Sequence, residues 1–286
     1  MKQEGLKELK KILLALDGSK ISENTTSAAI QVAEMLSLDI SGSYVIDEEL
    51  VIDDYADYKK ELGIDEPPSS REDRAALFGR RGHEVLEWFR SKCKECSLGM
   101  TIEIGMGGVP EMILNQAQEA SLLAIGRRGN GHPDEPEYLG KNFRHIAHRV
   151  RLPLLVGGDS TRPIKRILLG YNGGERAQKA LVWAKQLHDC GNVDLLALIV
   201  EGENEARLAG VWEEELKSQL SGAQIKDFHL ITQKGNPPDE IIKEAMKNES
   251  DLIIMGGYRH KPLLEWLSGS TVDTVLRNTP LTLLIV

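Results

Sequence analysis

The sequence predicts an α/β protein made of two tandem, doubly wound, five-stranded parallel-sheet domains. Three observations carry that prediction. Short, nearly continuous apolar runs alternate with helical patterns along the chain, as expected of parallel strands covered on both faces. The same order of runs occurs twice. The length of 286 residues suits about two domains.

The repeat can be read residue by residue. KILLALD at 11–17 matches RILLGYN at 166–172, SLLAIG at 121–126 matches DLIIMG at 251–256, and LPLLVGG at 152–158 matches TPLTLLIV at 279–286. The matches keep their order. Between its first and fourth strands the first half carries about 25 more residues than the second. The extra material falls most naturally in 48–80, where Asp53, Asp54, Pro67, Pro68, Ser69 and Ser70 read as a surface excursion turning at Pro67-Pro68. Domain 1 is expected over 1–158 with that excursion, and domain 2 over 164–286. The polar stretch GDSTRP at 158–163, ending in Pro, is the linker.

Strands are predicted at 11–16, 38–46, 100–105, 121–126 and 153–157, then at 166–171, 193–200, 226–233, 251–256 and 281–286. Helical patterns fill the gaps, at 22–36, 72–97, 109–119 and 141–150, then at 174–188, 205–221, 238–248 and 270–278. Right-handed crossovers turn that alternation into doubly wound sheets.

Composition excludes several classes. Hydrophobic residues at 41% against 28% charged make a disordered chain a poor fit. A net charge of -9 would repel a nucleic-acid backbone, and the one basic stretch, Arg144 to Arg151, has the period of a solvated helix face. The chain holds no apolar run long enough for a membrane span, and its N-terminus lacks a signal-peptide core. Three cysteines argue against a disulfide framework and for the cytoplasm. Cys93-x-x-Cys96 closes a helical pattern, where a redox pair would open one, so these residues read as structural. His145 and His148 share a helix face without a carboxylate at helical spacing, and Ser19 lacks a nucleophile-elbow motif.

In an open parallel sheet, ligands bind beyond the carboxyl ends of the strands, where strand order reverses. The ends of strands 1 and 2 and the loop after strand 4 should meet there. In the second half that loop runs from Gly256-Gly257 through Arg259 to Gly269-Ser270-Thr271 and then a helical pattern. A glycine followed by hydroxyls at a helix N-terminus suits phosphate, and also suits an ordinary helix cap.

The strand-1 acid Asp17, the strand-4 run ending in Gly, the glycine loop and a closing run that starts from Pro together resemble the universal stress protein family. The resemblance covers nearly the whole chain, twice. It implies a Rossmann-like fold of the adenine-nucleotide α-hydrolase-like kind. In nucleotide-binding members of the family it also implies a Gly-x2-Gly-x9-Gly-Ser/Thr loop after strand 4. The second half keeps Gly256, Gly269, Ser270 and the spacing, with Arg259 at the second glycine and Asn172 for the strand-1 acid. The first half keeps Asp17, Gly126 and Gly129, has ten residues before Gly140, and carries Lys141 in place of Ser/Thr. Asp134, Glu135 and Glu137 in that loop would repel phosphate if they faced it. The positions matching the family's adenine site are Gly170, Tyr171 and Asn172 with Ile199 and Val200 in the second half, and Leu16 and Asp17 with Val45 and Ile46 in the first.

The resemblance thus implies a cytoplasmic stress-response regulator with little or no catalysis. It would bind ATP, with or without Mg2+, and the better-kept loop places that site in the second half. The alternative is a protein-interaction module with degenerate loops. An enzyme of the α-hydrolase class would need a further catalytic motif, and none is seen. Family members pair through strand 5, so 153–157 and 281–286 are expected to pair within the chain as a pseudo-dimer, burying two apolar edges; a homodimer is compatible with that.

Overall fold

A computed structural model describes residues 10–52, 68, 70–129, 135, 137–159, 161–202, 206–221, 228–257 and 270–286, with 206, 207 and 221 as backbone only. The chain divides into two compact units, one over Leu9–Thr161 and one over Arg162–Val286.

In the first unit the order is β1 (Lys11–Leu16), α1 (Lys20–Leu36), β2 (Asp39–Asp47), α2 (Glu48–Ile52), α3 (Arg71–Glu95), β3 (Met100–Gly107), α4 (Val109–Gln116), β4 (Leu122–Gly126), α5 (Lys141–Arg149) and β5 (Leu154–Gly157). The strands lie in the spatial order β3-β2-β1-β4-β5, and every pairing among them is parallel. Order reverses between β1 and β4, which pair directly from Ile12↔Leu122 to Ala15↔Ile125. The central strands are covered on both faces, so Ile12, Leu13, Leu14, Leu122, Leu123 and Ala124 are buried. β3 lies at the edge and alternates between half-buried and exposed positions.

The first crossover shows how the sequence sets up the strand ends. Gly18 turns the chain with a φ of +75°, a conformation that costs glycine little. Ser19 then caps α1, its hydroxyl accepting from the Ser22 N–H at 3.1 Å. The buried face of α1 carries polar side chains that bond to nearby carbonyls. Thr25 Oγ1 donates to the Ile21 carbonyl at 2.6 Å, Thr26 Oγ1 to that of Ser22 at 2.8 Å, and Asn24 Nδ2 to that of Gly158 at 3.1 Å.

The region expected as a surface excursion is partly structured. Residues 48–52 form α2, with Val51 fully buried, and the excursion ends inside the first turns of α3. Buried Arg74 of α3 donates to the Val51 carbonyl at 3.0 Å and to the Pro68 carbonyl at 3.2 Å, tying both flanks together. Residues 53–67 lie outside the described residues, and so does the Pro67 half of the expected turn.

The second unit repeats the plan with β6 (Arg166–Gly170), α6 (Glu175–Gly191), β7 (Asp194–Glu201), α7 (Ala206–Ser221), β8 (Phe228–Lys234), α8 (Pro237–Lys247), β9 (Leu252–Met255), α9 (Thr271–Asn278) and β10 (Thr282–Ile285). Its order is β8-β7-β6-β9-β10, again all parallel. Among the described residues, no helix is long and apolar enough to cross a membrane.

Candidate functional site

At the carboxyl ends of the first unit's strands, on the β1/β4 switch point, lies a cavity of about 290 Å³. Sequence reasoning placed Leu16, Asp17, Val45, Ile46, Gly126, Gly129 and Gly140 at this site, and all of them line the cavity.

Asp17 ends β1. Its Oδ1 accepts from the Ser19 N–H at 2.8 Å, and its backbone N–H donates to Ser22 Oγ at 3.3 Å. The other carboxylate oxygen faces the glycine loop, since a Cβ on Gly129 would lie 3.1 Å from Oδ2. Asp17 is exposed towards the cavity, but the protein crowded around its carboxyl group desolvates the charged form, which raises its pKa against the lowering pull of Ser19, Arg81 and Ser22. The folded protein therefore holds this proton more tightly than the unfolded chain does. The group's contribution to stability falls as pH rises above its ordinary value of 3.8. Asp17→Asn removes the titration while keeping an oxygen for the turn, a role Asn172 fills in the second unit by accepting from Gly174 N–H at 3.2 Å. Its urea midpoint should gain on that of the parent protein as pH rises above the ordinary carboxylate value of 3.8. A difference that stays constant with pH would contradict this reading.

Beyond β4, Gly126 packs against α1, where a Cβ would meet Ile21 at 3.2 Å. The loop doubles back so that Gly140 N–H donates to the Arg127 carbonyl at 2.9 Å. Gly140 caps α5 with no side chain of its own, so the first N–H groups of that helix face the cavity rim beside Lys141. Arg127 and Arg128 are both buried, and both reach Asp159 Oδ1, at 2.7 and 3.0 Å. Burial lowers the Arg127 pKa, and Asp159 opposes that shift. Glu135 and Glu137 are exposed and are not among the lining residues, and Asp134 lies outside the described residues.

Sequence reasoning missed several walls. Tyr44 comes from β2, Glu49 and Leu50 from α2, and Phe78 from α3. The apolar end of the cavity is formed by Leu16, Val45, Phe78, Ile113 and Phe143 among others.

The second unit differs at the matching place. Tyr171, in the position of Leu16, is buried, and its hydroxyl accepts from Gln178, which also donates to Glu215 at 2.6 Å. Burial, and then Glu215, raise the pKa of that hydroxyl. The Trp212 ring packs directly on Gly173, so aromatic side chains occupy the exit of β6. Gly170 ends β6, and Val200, next to last in β7, is buried. Gly256 lies so close to α6 that a Cβ would sit 2.9 Å from the Arg176 backbone, and Gly257 N–H donates to the Val286 carbonyl at 2.6 Å. Ser270 is a helix cap, its hydroxyl accepting from Asp273 N–H at 3.1 Å, and Thr271 opens α9. Arg259 and Gly269 lie outside the described residues.

The cysteines are free thiols. Burial, and then Cys96, push Cys93 up to about 11, and burial and Glu34 raise Cys96, so neither is poised as a thiolate. Among the described residues no cluster of three or more His, Cys, Asp or Glu could hold a metal ion.

Comparison with known proteins agrees with this architecture. The Universal stress protein family matches residues 8–156 and again 163–286. A universal stress protein of Synechocystis sp. is 22% identical over 287 residues, spanning 96% of this chain and 99% of its own. The crystal structure of a universal stress protein from Archaeoglobus fulgidus superposes with a TM-score of 0.75 at 18% identity, covering 96% of this chain and 97% of the other. A functionally unknown protein from Pseudomonas aeruginosa superposes with a TM-score of 0.66 at 13% identity, covering 98% and 92%. With both halves matched and relatives of full length, the chain belongs to the universal stress protein family as a tandem two-domain member.

Proposed function

We propose that this protein is a stress-response regulator whose first half binds an adenine nucleotide in the cavity at the β1/β4 switch point. The observation that carries the reading is the convergence of Asp17, Val45, Gly126, Gly129 and Gly140 on one cavity. An apolar slot beside a few fixed polar groups is the usual form of a small-molecule site. The slot suits a flat base, Asp17 Oδ2 is an acceptor for an amino or hydroxyl group, and the α5 N-terminus with Lys141 suits phosphate. The first half is preferred to the second because Tyr171 and Trp212 occupy the matching exit of β6. The role is one of binding and signalling, with ligand occupancy altering surfaces that partners read.

Isothermal titration of adenosine and AMP into the full chain tests the proposal, alongside Asp17→Asn. The variant places an amide donor where the ligand's donor needs an acceptor, so affinity should fall by about 10- to 100-fold. Binding of neither ligand to the parent protein would favour the interaction-module reading.

A further inference from the structure

The rim of the first-half cavity carries an ion pair that nothing in the glycine-loop pattern anticipates. Lys141 stands where that pattern has Ser or Thr, at the first residue of α5. Its Nζ reaches Glu49 Oε2 of α2 at 3.1 Å, and both residues line the cavity. The pair joins positions far apart in sequence, and both side chains are 67% exposed. Exposed ion pairs contribute little, so an incoming anion can take the place of Glu49 at small cost. The short helix that carries Glu49 is itself held in place, because Arg74 donates to the carbonyl of Val51.

The other charges on the wall decide how much anion fits. Among the described lining residues the charged side chains are Asp17, Asp47, Glu49, Arg128 and Lys141. Asp47 sits at the start of α2, accepting from Glu49 N–H at 3.0 Å. Arg128 is buried and held by Asp159 at 3.0 Å, which leaves Lys141 as the exposed cation among the described lining residues. One phosphate satisfies Lys141. Each further phosphate adds negative charge beside Asp47 and Glu49 with no further exposed lysine or arginine among the described lining residues.

We infer that the Glu49–Lys141 pair makes the first-half cavity a site for a nucleoside bearing a single phosphate, and that Glu49 sets the discrimination against the triphosphate. This inference rests on the adenine-nucleotide reading above.

The test is calorimetric titration of adenosine, AMP and ATP, the last with and without Mg2+, into the full chain and its Glu49→Gln and Lys141→Gln variants. Both residues are largely exposed, and thermal melts should coincide with the parent. AMP should bind about tenfold tighter than either adenosine or ATP. Glu49→Gln should bring ATP to within about threefold of AMP, and Lys141→Gln should reduce AMP to the affinity of adenosine. ATP binding the parent as tightly as AMP, in either form, overturns the inference while the nucleotide site stands. An AMP-to-ATP ratio unchanged in Glu49→Gln overturns the role of Glu49. Binding of none of the three removes the site itself, and the inference with it.

Discussion

Gly157→Ala is expected to destabilise the first unit by about 3 kcal/mol, an effect at the upper end of ordinary overpacking. Gly157 ends β5 in register with Gly126 of β4, and α1 crosses directly above it. A Cβ at this position would run into Thr25 Oγ1 and lie 2.8 Å from both the Thr25 Cα and its backbone nitrogen. A flexible side chain could swing aside, but helix backbone cannot. Thr25 Oγ1 is also committed to the Ile21 carbonyl. The helix must therefore shift as a body, disturbing the Asp17–Ser19 turn from which it springs. Urea denaturation measures the loss, and Gly79→Ala is the control. Gly79 is helical with nothing near its missing Cβ, so that change should be neutral or stabilise by up to about 1 kcal/mol. Equal stability of the two variants would contradict the packing described.

Phe89→Ala should cost about 3–5 kcal/mol. Phe89 is fully buried on α3, and its ring rests on the bare backbone of Gly42 in β2, where a Cβ would lie 2.5 Å from the ring. The glycine and the aromatic ring are two parts of one contact. Gly42→Ala alone should therefore also destabilise, and the double variant should lose less than the two singles together, by about 1 kcal/mol or more. Strict additivity would show that the ring and the glycine do not share this space. The contact matters for the site because α3 also carries Phe78 into the cavity wall.

The fold was legible because the chain spells it twice. Apolar runs such as ILLAL and LIIM can bury both faces only in a parallel sheet, and the observed β1, β4, β6 and β9 fall on those runs. The site was legible where a residue's position in the repeat fixes its place. Asp17, Gly126, Gly129 and Gly140 sit at strand ends or at a helix start, and topology carries these to one point. Side chains that arrive from the excursion were not legible. Glu49, Leu50 and Phe78 enter the cavity wall through α2 and α3, whose docking depends on Arg74 and Val51 and not on periodicity. The repeat pattern also ranked the halves by their loops alone. It could not weigh Tyr171 and Trp212 at the exit of β6, because an aromatic at a strand end has no characteristic spacing. Ser270 illustrates the same limit, since a hydroxyl before a helix caps it as readily as it greets a phosphate.

The central claim is that the first half holds an adenine nucleotide between the end of β1 and the loop after β4. Titration of AMP into the full chain and its Gly129→Leu variant tests it most directly. Gly129 is not in the left-handed region, and among the described residues a Cβ there meets only Asp17 Oδ2, at 3.1 Å, so leucine would extend into the cavity. The account predicts binding to the parent protein and a weakening of at least about 100-fold in the variant, with the melting curve retained. Equal affinity for AMP in the two proteins would contradict it.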